Sequence, residues 1–194
     1  MPDSKQIILD QRVCADDWQL LKQEVSEEAA AGFAVPAGKV IVPLAVLVAQ
    51  EAQLAPRIAA GEIGVWIASH ERPETLRGKL DALPVVAVDF PKFADGRGYS
   101  IAYNLRTRLG FKGQLRAIGD VLRDQMFYMQ RVGFNAFEPR ADRNIHDALK
   151  GLSDFSEVYQ NSVDQKYPLF ARASRAAQAA SQTQGQNFGA GEGI

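Results

Sequence analysis

The chain has 194 residues, 46% of them hydrophobic and 23% charged, with a formal net charge of −1. That length supports one sizeable core but not two comfortable ones, and the near-zero charge gives no long-range pull toward nucleic acid or anionic lipid. The single cysteine, Cys14, excludes an internal disulfide and any four-thiolate iron–sulfur or zinc site built by one chain, and two histidines, His70 and His146, leave little for a histidine-based metal site.

The polar start, MPDSKQ, has no hydrophobic leader core. The longest apolar run, Val40 to Ala49, holds Pro43 and falls far short of the roughly 20 residues that span a bilayer. The expectation is a cytoplasmic protein with neither membrane nor nucleic acid as partner. Residues 1–37 read as an N-terminal extension: Gln6 to Asp10 as a short strand or an apolar anchor, Asp16-Asp17-Trp18 as the cap of a short helix, and Glu24 to Ala31 as a solvated connector.

Residues 38–170 read as one α/β domain. Val40-Ile41-Val42 suits a brief strand, Pro43 suits the first turn of a helix, and Leu44, Leu47, Val48 and Leu54 form its apolar stripe. Ile63 to Ala68 reads as a buried strand. Pro73-Glu74-Thr75 opens a predicted helix carrying Leu76, Leu80 and Leu83. Val85 to Asp89 is the next strand, followed by a Gly-rich charged loop and a helix marked by Ile101, Leu105 and Leu109. Leu115 to Asp120 and then Leu122, Met126 and Met129 repeat the strand–helix pattern; Asn135 to Glu138 adds a strand, and Asp142 to Tyr159 a predicted helix. Residues 171–194, rich in Ala, Ser, Gln and Gly, read as a disordered or frayed tail. Four strands separated by helices predict repeated βα units in an open parallel sheet or a half-barrel-like arrangement, since a closed eightfold barrel needs roughly 200 or more residues.

Ligands of such sheets sit beyond the carboxyl ends of the strands, and three groups of residues gather there. Asp89, Asp120 and Glu138 end successive strands; acids so placed can converge on magnesium, or simply cap the following helices and pair with arginines. The loop with Lys92, Asp95, Gly96, Arg97 and Gly98, joined by Arg116, offers cations and close backbone approach for a small oxyanion, without matching either nucleotide-binding glycine motif. Asp120 and Asp124, four apart and beside Arg123, match an ion-pair network on one helix face. No metal ligand set and no flavin, nicotinamide or haem motif stands out, so catalytic residues, cofactor and oligomeric state stay open.

The run VDFPKFADGRGYS (Val88 to Ser100), together with GQLRAIGDVLRDQ (Gly113 to Gln125), resembles an uncharacterised proteobacterial family described as a probable oxidoreductase involved in sulfite reduction, whose members are encoded beside assimilatory sulfite reductase. The resemblance is dense over 85–138 and looser over 38–84. It implies a place in sulfate assimilation with sulfite reductase as partner, and carries over no catalytic residue. The residues by themselves support an alternative, a small-anion- or phosphate-binding α/β enzyme with its site at the strand-end rim.

Overall fold

The computed structural model describes residues 5–172. The tail expected as disordered therefore lies, from residue 173 onward, outside the described residues. The strands are β1 (Gln6–Leu9), β2 (Arg12–Ala15), β3 (Gln19–Leu20), β4 (Val40–Pro43), β5 (Ile63–Ile67), β6 (Val85–Phe90), β7 (Gln114–Gly119) and β8 (Ala136–Phe137). They form one sheet in the order β2-β1-β8-β7-β6-β5-β4-β3. From β3 to β8 neighbours follow chain order and run parallel, whereas β1 pairs antiparallel with both β2 and β8.

The helices are α1 (Glu27–Ala30), α2 (Leu44–Ala49), α3 (Glu51–Ala59), α4 (Arg97–Thr107), α5 (Arg123–Arg131) and α6 (Ile145–Lys150). The apolar stripes of α2 to α6, with Leu47, Leu54, Leu105, Met129 and Ala148, join one large core with the strand residues Val65, Val86, Val88, Phe90 and Leu115. The opposite face of the sheet carries a small separate cluster, Ile41, Trp66, Ala68, Val85, Ala87 and Ile118, covered by Trp18 and Leu20. Alternation along each strand divides the two sets.

Residues 1–37, read as an extension, contribute three of the eight strands. Asp10 and Gln11, both at positive φ (47° and 61°), make the two-residue β1–β2 turn, the conformation that a tight hairpin's twist prefers. The chain then passes from Ala15, on one edge of the sheet, to Gln19, on the other, through residues 16–18 alone. Four Cα steps reach at most about 14 Å, while the edges of a flat eight-stranded sheet stand about 34 Å apart. The sheet is accordingly curled into a half-barrel, and residues 16–18 cross its inner side.

Three predicted helices come out differently. Residues 16–18 are a crossing segment, with Asp16 accepting from the Trp18 amide at 3.2 Å. The stretch with Leu76 and Leu80 forms two 3-10 turns, Pro73–Leu76 and Leu80–Ala82, because Gly78 at φ +79° interrupts it. The helix over 142–159 is only Ile145–Lys150 plus a 3-10 turn, Gly151–Ser153. There the backbone of Gly151 touches Arg123 of α5 too closely for any side chain, with a built Cβ 2.5 Å from the Arg123 carbonyl, and the chain bends away. No helix among the described residues is long and apolar enough to cross a membrane.

Candidate functional site at the half-barrel mouth

The inner face is organised in levels by strand register. Arg116 stands level with Ala87 and Ala136. One pleat nearer the carboxyl ends, Asp89 stands level with Ile118, and Glu138, one residue beyond the Ala117–Phe137 pair, reaches the same level. Arg116 is completely buried and donates from Nη1 and Nη2 to Asp16 Oδ2 and Oδ1 at 2.8 and 2.9 Å. With its amide oxygen turned toward the guanidinium, Gln114 accepts from Arg116 Nη2 and Nε at 2.9 and 3.0 Å. Lys5 Nζ lies 2.8 Å from Glu138 Oε1 and 3.8 Å from Asp16 Oδ2. Lys22 Nζ lies 2.8 Å from Asp89 Oδ1.

A pattern follows from these distances. The barrel strands supply Asp89, Arg116 and Glu138, and residues 5–22 supply Lys22, Asp16 and Lys5, each of opposite sign to its partner. Charge removed from water must be paired or it is very costly, so the inner face and the segment that crosses it are electrically matched. Lys5 and Lys22 are each 45% exposed at their side chains, so the mouth presents two half-accessible ammonium groups above a sealed Arg116–Asp16 pair.

The Gly-rich loop is arranged by packing. Arg97 is forked onto Asp95 through Nε and Nη2, at 2.9 and 2.6 Å. The arginine, with Ser69 adding a hydrogen bond, holds the Asp95 carboxyl well below the usual carboxylate range. Gly98 is glycine because a Cβ there would lie 2.6 Å from the Phe90 ring. Gly96 stands in open space just before α4, and Lys92 is exposed. The three cations expected around one anion are therefore not assembled: Arg116 is sealed within the barrel, Arg97 is engaged by Asp95, and Lys92 stands out in solvent.

Asp120 does not cap α5. Its Oδ2 accepts from the Phe93 amide at 2.9 Å and its Oδ1 from Arg140 at 3.1 Å, tying the β6–α4 loop to the end of β7. Gln125 completes that tie by donating to the Phe93 carbonyl at 3.0 Å, while its own Oε1 takes the Leu122 amide at 3.3 Å at the start of α5. Since α5 begins at Arg123, Asp120 lies outside it, and Asp120 and Asp124 do not form the expected helical pair. Arg123 turns instead to Asp147 and Asp154. Asp124 is exposed, and its charge, after burial, is a further cause that pushes the Tyr99 hydroxyl up.

Several mouth residues escaped the sequence reading. Trp66, Glu71, Glu24 and Ser26, together with His70 just after β5, line a cleft of about 300 Å³ beyond the ends of β4 and β5, its floor fixed by the Trp66 Nε1 bond to the Leu21 carbonyl at 3.0 Å. Burial pushes the Glu71 carboxyl up and nearby Glu24 adds to this, against a hydrogen bond from the Ala68 amide. A raised value means that Glu71 contributes stability fully below its ordinary 4.5 and loses it as pH rises through the folded value. Glu71→Gln should therefore raise the melting temperature at pH 7 by about 1–2 °C, with the gain gone below pH 4; an equal gain at both pH values would refute this. The overlooked signal for Asp16 was Arg116 itself: an arginine inside the apolar run Leu115 to Ile118 requires a buried carboxylate somewhere in the chain.

Among the described residues no group of three or more His, Cys, Asp or Glu side chains is placed to hold a metal ion. No curated protein and no solved structure matches the chain. A family model described as bacterial protein of unknown function (DUF934) matches residues 64–170, from within β5 to beyond α6. That is more than half of the sequence, and it includes Asp89, Arg116, Asp120 and Glu138. The chain belongs to this family of bacterial proteins of unknown function.

Proposed function

We propose that the protein is an accessory component of assimilatory sulfite reduction, acting with or beside sulfite reductase rather than carrying a redox centre of its own. The observation that carries this reading is the paired run Val88 to Ser100 and Gly113 to Gln125, which resembles a family described as a probable oxidoreductase involved in sulfite reduction and encoded beside sulfite reductase. Two features support it. A single cysteine cannot supply the four thiolates of an iron–sulfur cluster. The charged residues of the inner face are matched by the chain's own segment 5–22, which suits a protein that positions or protects a catalyst.

The test is co-purification of the tagged protein with sulfite reductase, joined to growth of a deletion strain on sulfate as sole sulfur source. Association with the reductase and poor growth on sulfate, rescued by sulfide, are expected. Normal growth with normal sulfite reductase activity would end the proposal. Within that assay, Arg97→Ala should leave the melting temperature within a few degrees, because the Arg97 side of the pair stands in solvent. Loss of complementation by this variant would place function at the β6–α4 loop, and full complementation would make the pair a local brace only.

A second reading, a small-anion-binding α/β enzyme, draws on a cleft of about 380 Å³ beyond β7 and β8, where Arg123 and Arg143 stand among Asp124, Asp147 and Asp154. Calorimetric titration with sulfite, sulfate and phosphate tests it: saturable binding weakened by Arg143→Ala supports this reading, and silence with all three anions removes it.

A further inference from the structure

Beyond α6 the chain becomes an irregular strap that returns over α5. The Val163 amide donates to the Arg131 carbonyl at 3.1 Å, Arg131 Nη2 donates to the Gln160 carbonyl at 2.6 Å, and the Phe127 and Phe155 rings meet at 5.0 Å. The side chains that the strap turns outward are large and apolar: Phe155 is 65% exposed, Tyr159 66%, Leu169 41% and Phe170 69%, and on α5 Tyr128, the residue after Phe127, is 60% exposed. A monomer rarely leaves such a set uncovered. At these exposures the five side chains offer on the order of 600 Å² per chain, most of the roughly 800 Å² that one partner gives to a standard interface.

Two observations identify the occupant. The segment that follows, residues 173–194, holds only Phe188 and Ile194 as large apolar residues and cannot supply a matching surface. The strap's charges are mostly spent internally: Asp154 on Arg123, Asp164 on Arg131 and Glu157 on Arg172, with Lys166 the remaining one. A nearly neutral aromatic face can be laid on a copy of itself about a two-fold axis, where rings pair well and like charges would repel. We propose that this face is the contact between two copies of the chain in a symmetric dimer.

Sedimentation equilibrium of the full-length protein over about 1–100 µM tests this, since a dimer's mass depends on concentration. The expected mass is twice the chain's 21.2 kDa. Tyr159→Lys and Phe170→Lys are each expected to return it to the mass of one chain, with unchanged far-ultraviolet circular dichroism. If either strap variant fails to fold, Tyr128→Lys, at a solvent-facing position of α5, serves in its place with the same expected result. A wild type that stays at one chain's mass throughout overturns the proposal, even if the face captures some other protein. So does a dimer that persists in the folded variants.

Discussion

Asp16→Ala is expected to lower the melting temperature by roughly 6–20 °C. The carboxylate is inaccessible to solvent and forks the equally inaccessible Arg116 guanidinium. Deleting it leaves a buried cation held only by Gln114, and breaking a buried pair on one side costs about 3–5 kcal/mol; in a chain of this size each kcal/mol moves the midpoint by about 2–4 °C. Pairing the two losses tells charge from packing. Asp16→Leu combined with Arg116→Leu removes both charges, and such replacements are often neutral or stabilising, so the double variant should melt well above Asp16→Ala. Thermal melts of the single and double variants decide the matter. An Asp16→Ala protein that melts within about 2 °C of wild type would mean that water reaches the pair, and the sealed barrel interior would have to be given up.

That experiment also shows why the fold was only half legible in the sequence. Strands β5, β6 and β7 are mostly apolar runs of five or six residues bounded by turn signals and buried on both faces, interrupted only by Asp89 in β6 and by Gln114 and Arg116 in β7, so local pattern is enough to find them. Strands β1, β2 and β3 have four, four and two residues, of which only Ile7 and Ile8 are buried. β1 is placed by a partner more than a hundred residues away, Phe137 opposite Ile8, β2 only by pairing with β1, and β3 by pairing with Val40 and Ile41 of β4. Nothing in the local composition of Asp16-Asp17-Trp18 separates a helix cap from a crossing strap; the choice is made by Arg116, exactly 100 positions on. Periodicity misled in the other direction over 142–159, where Leu152 and Phe155 keep helical spacing although α6 stops at Lys150. Leu152 is buried there while Phe155 is turned out to solvent.

The candidate site was legible in residue type and not in arrangement. Acids were expected at the ends of β6, β7 and β8, and they are there. Whether each faces inward depends on strand parity: Asp89 and Glu138 share the inner level with Ile118, whereas Asp120 lies past the end of β7 and turns to the Phe93 amide and Arg140. The cations that answer the inner acids, Lys5 and Lys22, come from the segment whose strands were hardest to read.

Gly119→Ala is expected to rival the loss of Asp16, lowering the midpoint by roughly 4–24 °C, while Gly96→Ala should move it by no more than about 2 °C. Gly119 ends β7 at φ +94°, and a Cβ built there falls 2.4 Å from the Phe90 carbonyl oxygen and 2.5 Å from Asp89 Oδ1. A non-glycine residue in a backbone region of this kind costs about 1–3 kcal/mol, and forced overpacking adds a similar amount. The Phe90 carbonyl cannot yield cheaply, because it accepts the Asp120 amide at 2.7 Å, the bond that starts the next loop. The Asp89 carboxylate can swing, but only by leaving Lys22. Adding Asp89→Ala to Gly119→Ala should therefore recover part of the loss and not all of it, since the clash with the backbone oxygen remains. Gly96, with no atom within 4 Å of its Cβ position and φ −80°, has room and an ordinary backbone. Equal melting temperatures for the two alanine variants would show that the close approach of β7 to Asp89 is absent in solution, and with it the inner level on which the mouth is built.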